Sequence, residues 1–103
     1  MPSKLQKEVK DLYKQNKWDT DPTLLLVAMQ EELGELCARW LYEHPGYEKS
    51  SKYAGDPLEM EVGDLVNLII AFCNTQDIDF EKAVRQTIRK RRKQHLRNVK
   101  QKS

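Results

Sequence analysis

At 103 residues the chain is long enough for one domain with its own core, and short enough that self-association would add to its stability. The net charge of +2 hides an asymmetry: ten of the 18 Lys/Arg lie in residues 82–103, which hold no acid, so all 16 Asp/Glu share residues 1–81 with only eight basic residues. No apolar run is long enough to span a membrane, and Met-Pro-Ser-Lys-Leu-Gln-Lys-Glu lacks the apolar stretch of a secretory signal, so a cytoplasmic protein is expected.

The first element opens with Ser3-Lys4-Leu5-Gln6, which has the form of a capping box. Leu5, Val9, Leu12 and Tyr13 follow at helical spacing and predict an amphipathic helix to about Asn16. Residues 16–21 connect it to the next; Trp18 within them is either a core plug, the commoner fate of a Trp, or a platform for a base. Asp21-Pro22 reads as an N-cap followed by proline at the first helical position. The second helix then runs to about Glu43, with Leu25, Leu26, Met29, Leu33, Leu36, Cys37 and Trp40 on its apolar side.

His44-Pro45-Gly46 stops that helix, and residues 44–56 form a polar loop. Asp56-Pro57 repeats the cap pattern and starts a third helix, apolar nearly all round from Val62 to Cys73. Such a helix needs cover on a second side, so a homo-oligomer with this helix in its interface is expected. Asn74–Ile78 is a short turn, and Asp79 caps a fourth helix. The core face of that helix is Phe80, Ala83, Val84, Thr87 and Ile88; Arg91, four after Thr87 and three after Ile88, should point inward. Past Leu96 the pattern fades into a basic tail, frayed from about residue 97. Cys37 and Cys73 lie in helical patterns with no CxxC, which suggests reduced, partly buried thiols. With no strand signal, the fold class is all-α, a four-helix bundle in a single domain.

The acids carry the chemistry. The second helix holds Glu31, Glu32 and Glu35; the third holds Glu61 and Asp64. Residues three and four apart share a helix face, so each helix presents its acids as a cluster. Glu61 lies three after Leu58, four before Leu65 and seven before Leu68, inside the apolar stripe. Glu32, three after Met29 and four before Leu36, borders its own. An uncompensated carboxylate there costs several kcal/mol. A hard divalent ion such as Mg²⁺ would turn that cost into binding. Most Glu-rich helical stretches are solvated faces, and that reading suits Glu31 alone; it does not suit Glu61.

The pattern EExxE (Glu31–Glu35), ExxD (Glu61–Asp64), an Asn74-x-x-x-Ile78-Asp79 turn and a basic last helix resembles the MazG-like nucleoside triphosphate pyrophosphohydrolases, within the all-α NTP pyrophosphatase superfamily. The likeness runs from Leu5-Gln6 to about His95. It implies Mg²⁺, for which Mn²⁺ could substitute, held by Glu32, Glu35, Glu61 and Asp64. Glu31 would be a ligand or would orient the attacking water, and Glu35 could exchange with it as the base. Asn67, on the side of Asp64, would lie near the nucleotide, and Lys90 and Arg91 would contact phosphate. The implied reaction turns an NTP or dNTP into NMP and pyrophosphate, as in the house-cleaning of nucleotide pools, and the implied assembly is a homodimer or homotetramer. Trp18, Trp40 and His44 are candidates for stacking on the base, with ordinary packing the competing role.

Other classes fit less well. A di-iron bundle needs Glu-x-x-His, yet His44 follows Leu41 at that spacing and His95 follows Arg92. Residues 82–103 could bind nucleic acid, but the charges surround the helix without interleaved aromatics, so nucleic acid is not the expected partner. A non-catalytic regulatory relative, or one using the basic helix on nucleic acid, is the alternative; the intact acids speak against it.

Overall fold

The computed structural model describes residues 2–43 and 56–102. His44 and nearly all of the polar loop lie outside them. Four helices follow in order: α1 (Lys4–Gln15), α2 (Pro22–Glu43), α3 (Leu58–Thr75) and α4 (Phe80–Lys102). The described residues contain no strand, so the fold is all-α as expected. None of these helices is long and apolar enough to cross a membrane.

Local chemistry explains most of the helix ends. Ser3 Oγ accepts the Gln6 N–H at 3.2 Å and caps α1. Asp21 Oδ1 accepts from the N–H groups of Thr23 at 2.9 Å and Leu24 at 3.2 Å, capping α2. Asp79 Oδ1 caps α4 through the Lys82 N–H at 3.1 Å. The start of α3 departs from the expected grammar: Pro57 is itself the N-cap, with no side-chain cap hydrogen bond. Glu59 and Glu61 in the first turn place negative charge at its N-terminus. α1 and α3 end alike, with Lys17 and Asp77 in the left-handed region at φ 53°. In each case the next N–H reaches back five residues, Trp18 to the Tyr13 carbonyl and Ile78 to that of Cys73, both at 3.0 Å.

Gln6 does something the capping-box reading does not foresee. Its side chain is buried and turns away from Ser3. Its Nε2 donates to Asn74 Oδ1 at 3.0 Å and to the Ile78 carbonyl at 2.7 Å. Its Oε1 accepts the Phe80 N–H at 3.0 Å. One satisfied amide thus ties α1 to the end of α3 and the start of α4.

α3 is the central element, with α2 packed along one side and α1 along another. The core lies where they meet: Val9, Leu25, Ile70 and Ala71, with Tyr13, Val66, Leu68, Phe72 and Phe80 against it. This accounts for the all-round apolar sequence of α3, because its cover comes largely from within the chain. Exposed apolar side chains remain on α2, at Leu26, Val27, Leu33 and Leu41, and on α3 at Val62.

α4 departs from the expected packing. Phe80 and Ala83 are half-buried, but every side chain from Val84 to Gln101 is exposed. Arg91, expected to point inward, is exposed and bonds only locally, to Gln94 at 3.2 Å. The apolar face of α4 is present, but the α1–α3 core ends at Phe80 and, among the described residues, leaves nothing for it to meet. The radius of gyration, 17.8 Å, is accordingly larger than the ~13 Å of a compact chain of this length. Nor does α4 end near residue 97: it continues to Lys102, through good helix formers with no Gly or Pro. Cys73 is buried, and burial pushes its thiol pKa up; Cys37, expected to be partly buried, is exposed.

Candidate metal centre

α2 and α3 lie side by side, and their inner faces bring three carboxylates together. Glu32, Glu61 and Asp64 each offer one oxygen, and the three oxygens lie within 4.8 Å of one another. Glu61 is 3% exposed; Glu32 and Asp64 are half-buried. The period places Glu61 inside the apolar stripe of α3, and the fold carries that stripe into the α2–α3 contact.

The cluster is electrostatically costly as it stands. The Glu32 carboxyl is raised from 4.5 to about 7. Burial is the largest cause, followed by repulsion from Glu35 and Asp64, a hydrogen bond with Glu35 that favours the protonated form, and repulsion from Glu61. The Oε2 atoms of Glu32 and Glu61 are buried and accept no hydrogen bond. Buried carboxylate oxygens converging within a few ångströms form the hard, all-oxygen donor set that Mg²⁺ or Mn²⁺ prefers. The residues present therefore fit a divalent cation.

The remaining expected residues are spread more widely. Glu35 is exposed at the edge of the cluster, bonded to Glu32. Glu31 is exposed one position before Glu32, outside the three-carboxylate group. Asn67 is half-buried on α3, one turn beyond Asp64. Lys90 and Arg91 stand exposed on α4.

Trp18 is half-exposed and meets Tyr13 edge to face, with ring centroids 5.2 Å apart. Both line a groove with Lys10, Lys14 and Lys17, floored by Ala71, Asn74 and Thr75 of α3. These lysines were not singled out from the sequence. Their spacing of four and three residues, running into Trp18, is the signal that could have found them. The groove and the carboxylates share α3: Ala71 is seven residues beyond Asp64, two turns and ~10 Å along the helix, with Asn67 between them.

No protein-family model and no curated protein matches the chain. Among solved structures, the chain is similar to YPJD from Bacillus subtilis, a protein proposed to be a pyrophosphatase. The TM-score is 0.69 at 25% sequence identity, over 87% of this chain and 97% of that one. The all-α fold is thus shared with that protein over nearly its whole length.

Proposed function

We propose that the protein hydrolyses a pyrophosphate linkage, and specifically that it is a Mg²⁺-dependent nucleotide pyrophosphohydrolase converting an NTP or dNTP to NMP and pyrophosphate. The observation that carries this reading is the convergence of Glu32, Glu61 and Asp64 at the α2–α3 contact. The likeness to a protein proposed to be a pyrophosphatase supports it. In the MazG-like resemblance the same acids are the metal ligands, and the biological role would be house-cleaning of nucleotide pools in the cytoplasm.

The four acids Glu32, Glu35, Glu61 and Asp64 would hold the metal. A divalent cation bound there supplies the positive charge that draws phosphate oxygens onto an otherwise repulsive face, and it lowers the pKa of water. The protein supplies position and a proton acceptor. Glu31 or Glu35, both open to solvent beside the cluster, would take the proton from the attacking water. Attack at the α-phosphorus breaks its bond to the bridging oxygen; the water oxygen stays on the NMP and the electron pair leaves with pyrophosphate. The base would stack on Trp18, with the lysines of that groove and Asn67 flanking the nucleotide on its way to the carboxylates. Lys90 and Arg91 would steady the charge that develops on phosphate.

The test is product analysis of a panel of NTPs and dNTPs incubated with protein and Mg²⁺, alongside a chelator control. NMP plus pyrophosphate, abolished by chelation, is the expected result. NDP plus phosphate would refute the pyrophosphohydrolase assignment, and no turnover with Mg²⁺ or Mn²⁺ would move the reading to a non-catalytic relative.

A further inference from the structure

The groove at Trp18 holds more positive charge than a base and a ribose call for. Lys10, Lys14 and Lys17 follow at four and three residues along one face of α1 and its end, and all three line the groove with Tyr13 and Trp18. No acid lines it, and among the described residues no carboxylate pairs with any of the three lysines. Lys10 and Lys14 also border a neighbouring hollow, and the acids stand there, at Asp11, Asp77 and Asp79. An anion is therefore drawn to the Trp18 side of these lysines and repelled from the other. The groove's volume, about 460 Å³, is that of a small-molecule site.

The phosphates of an NTP at the carboxylate site do not account for these lysines. Asn74 and Thr75, at the floor of the groove, lie ten and eleven residues beyond Asp64, ~15 Å along α3. That exceeds the ~8–10 Å over which exposed charges act in physiological salt. Base and sugar carry no charge of their own. Lys17 is a second, independent sign. It sits at φ 53°, a left-handed position after α1 that glycine fills most easily, and lysine is not among the types that favour it. At the matching end of α3 the residue is Asp77, which is. A lysine held in that conformation, with its side chain lining the groove, points to a use for its charge.

Nor is the floor built to read a base. Asn74 Oδ1 already accepts from Gln6 Nε2 at 3.0 Å, and its Nδ2 donates to the Gln6 carbonyl at 3.3 Å. The Thr75 hydroxyl donates to the Phe72 carbonyl at 2.7 Å. The groove offers an aromatic face, on which any base can stack, and positive charge. We infer that it takes a phosphate carried on the ribose, so that the substrate class is nucleotides phosphorylated both in the 5′ chain and on a second oxygen of the sugar, accepted with little regard to base. Hydrolysis keeps the same course: water attacks the α-phosphorus, its bond to the bridging oxygen breaks, and pyrophosphate leaves with the electron pair. The ribose phosphate stays on the product, a nucleoside bisphosphate. The reaction rests on the proposed pyrophosphohydrolase reading; the binding of the second phosphate does not.

Binding and turnover test the two separately. With Mg²⁺ present, titration calorimetry should show the tighter of adenosine 3′,5′- and 2′,5′-bisphosphate binding ~10- to 100-fold more tightly than AMP, the range for an anion met by charged hydrogen bonds. The guanosine and cytidine bisphosphates should bind comparably. The double variant Lys14→Ala/Lys17→Gly should lose most of that preference. Lys17→Gly alone should weaken it while melting no lower than wild type, since glycine suits the left-handed backbone. Equal affinity for AMP and the bisphosphates, no binding of either, or a preference that survives in the double variant overturns the inference. So does tighter binding of a 5′-phosphorylated dinucleotide, whose ribose phosphate is a diester, because the groove then takes the end of a strand. A bisphosphate bound preferentially by a protein that turns over no nucleotide sinks the enzymatic reading and leaves the second-phosphate site standing. Release of pyrophosphate from plain NTPs, without the preference for bisphosphates, does the reverse.

Discussion

Replacing Glu32 by Gln should stabilise the metal-free protein, by an amount that grows as pH rises from 4.5 to 7 and is full above that. The folded protein holds the Glu32 carboxyl at about 7 against 4.5 for an ordinary glutamate. Below 4.5 the group is neutral in both folded and unfolded states and costs nothing. As pH rises past 4.5 the unfolded chain ionises while the folded one keeps its proton, so stability falls through the window from 4.5 to 7 and the loss is complete above it. At ~1.4 kcal/mol per pH unit this amounts to about 3 kcal/mol, and the solvent contact that Glu32 retains reduces it to roughly 1–3 kcal/mol. Glutamine keeps the shape without the charge and avoids that loss. For a chain of this size ~5 °C of Tm accompanies each kcal/mol, so Glu32→Gln should melt roughly 5–15 °C above wild type at pH 8 in chelator. The two should coincide near pH 5. Adding Mg²⁺ should raise the wild type more than the variant, because a ligand stabilises only the state that binds it. Differential scanning fluorimetry at both pH values, with and without the metal, reads all of this. A variant less stable than wild type at pH 8 in chelator, or a gap that does not change with pH, would refute the account of the cluster as a destabilised charge site.

Glu61→Gln should abolish turnover while keeping or raising metal-free stability; loss of folding with normal activity in the surviving fraction would show Glu61 to be structural. Gln6→Leu should cost about 2–4 kcal/mol in urea denaturation, because the Phe80 N–H, the Ile78 carbonyl and Asn74 lose their buried partner together. Trp18→Ala should raise KM for the preferred nucleotide by roughly 5- to 100-fold with little change in kcat, the range expected for one lost base stack. A fall in Tm with unchanged KM would make Trp18 a packing residue for Tyr13 alone.

What was legible in the sequence is what local chemistry decides. Ser3, Asp21 and Asp79 cap their helices because a short side chain before a helical run can reach an N–H two or three residues on, whatever the rest of the chain does. Gln6 met the same local rule and broke it. Its amide had better partners at Asn74, Ile78 and Phe80, some seventy residues away, which no local pattern reveals. The floor of the lysine-ringed groove at Trp18 was missed for the same reason, since Ala71, Asn74 and Thr75 come from the far end of α3.

Glu61 and Arg91 mark the limit of periodicity as an argument. Each sits in the apolar stripe of its helix, and period alone treats them alike. Glu61 is 3% exposed because α2 covers its stripe, and there it meets Glu32 and Asp64. Arg91 is exposed because nothing among the described residues covers the stripe of α4. Period assigns a residue to a face; only the arrangement of helices decides whether that face is covered.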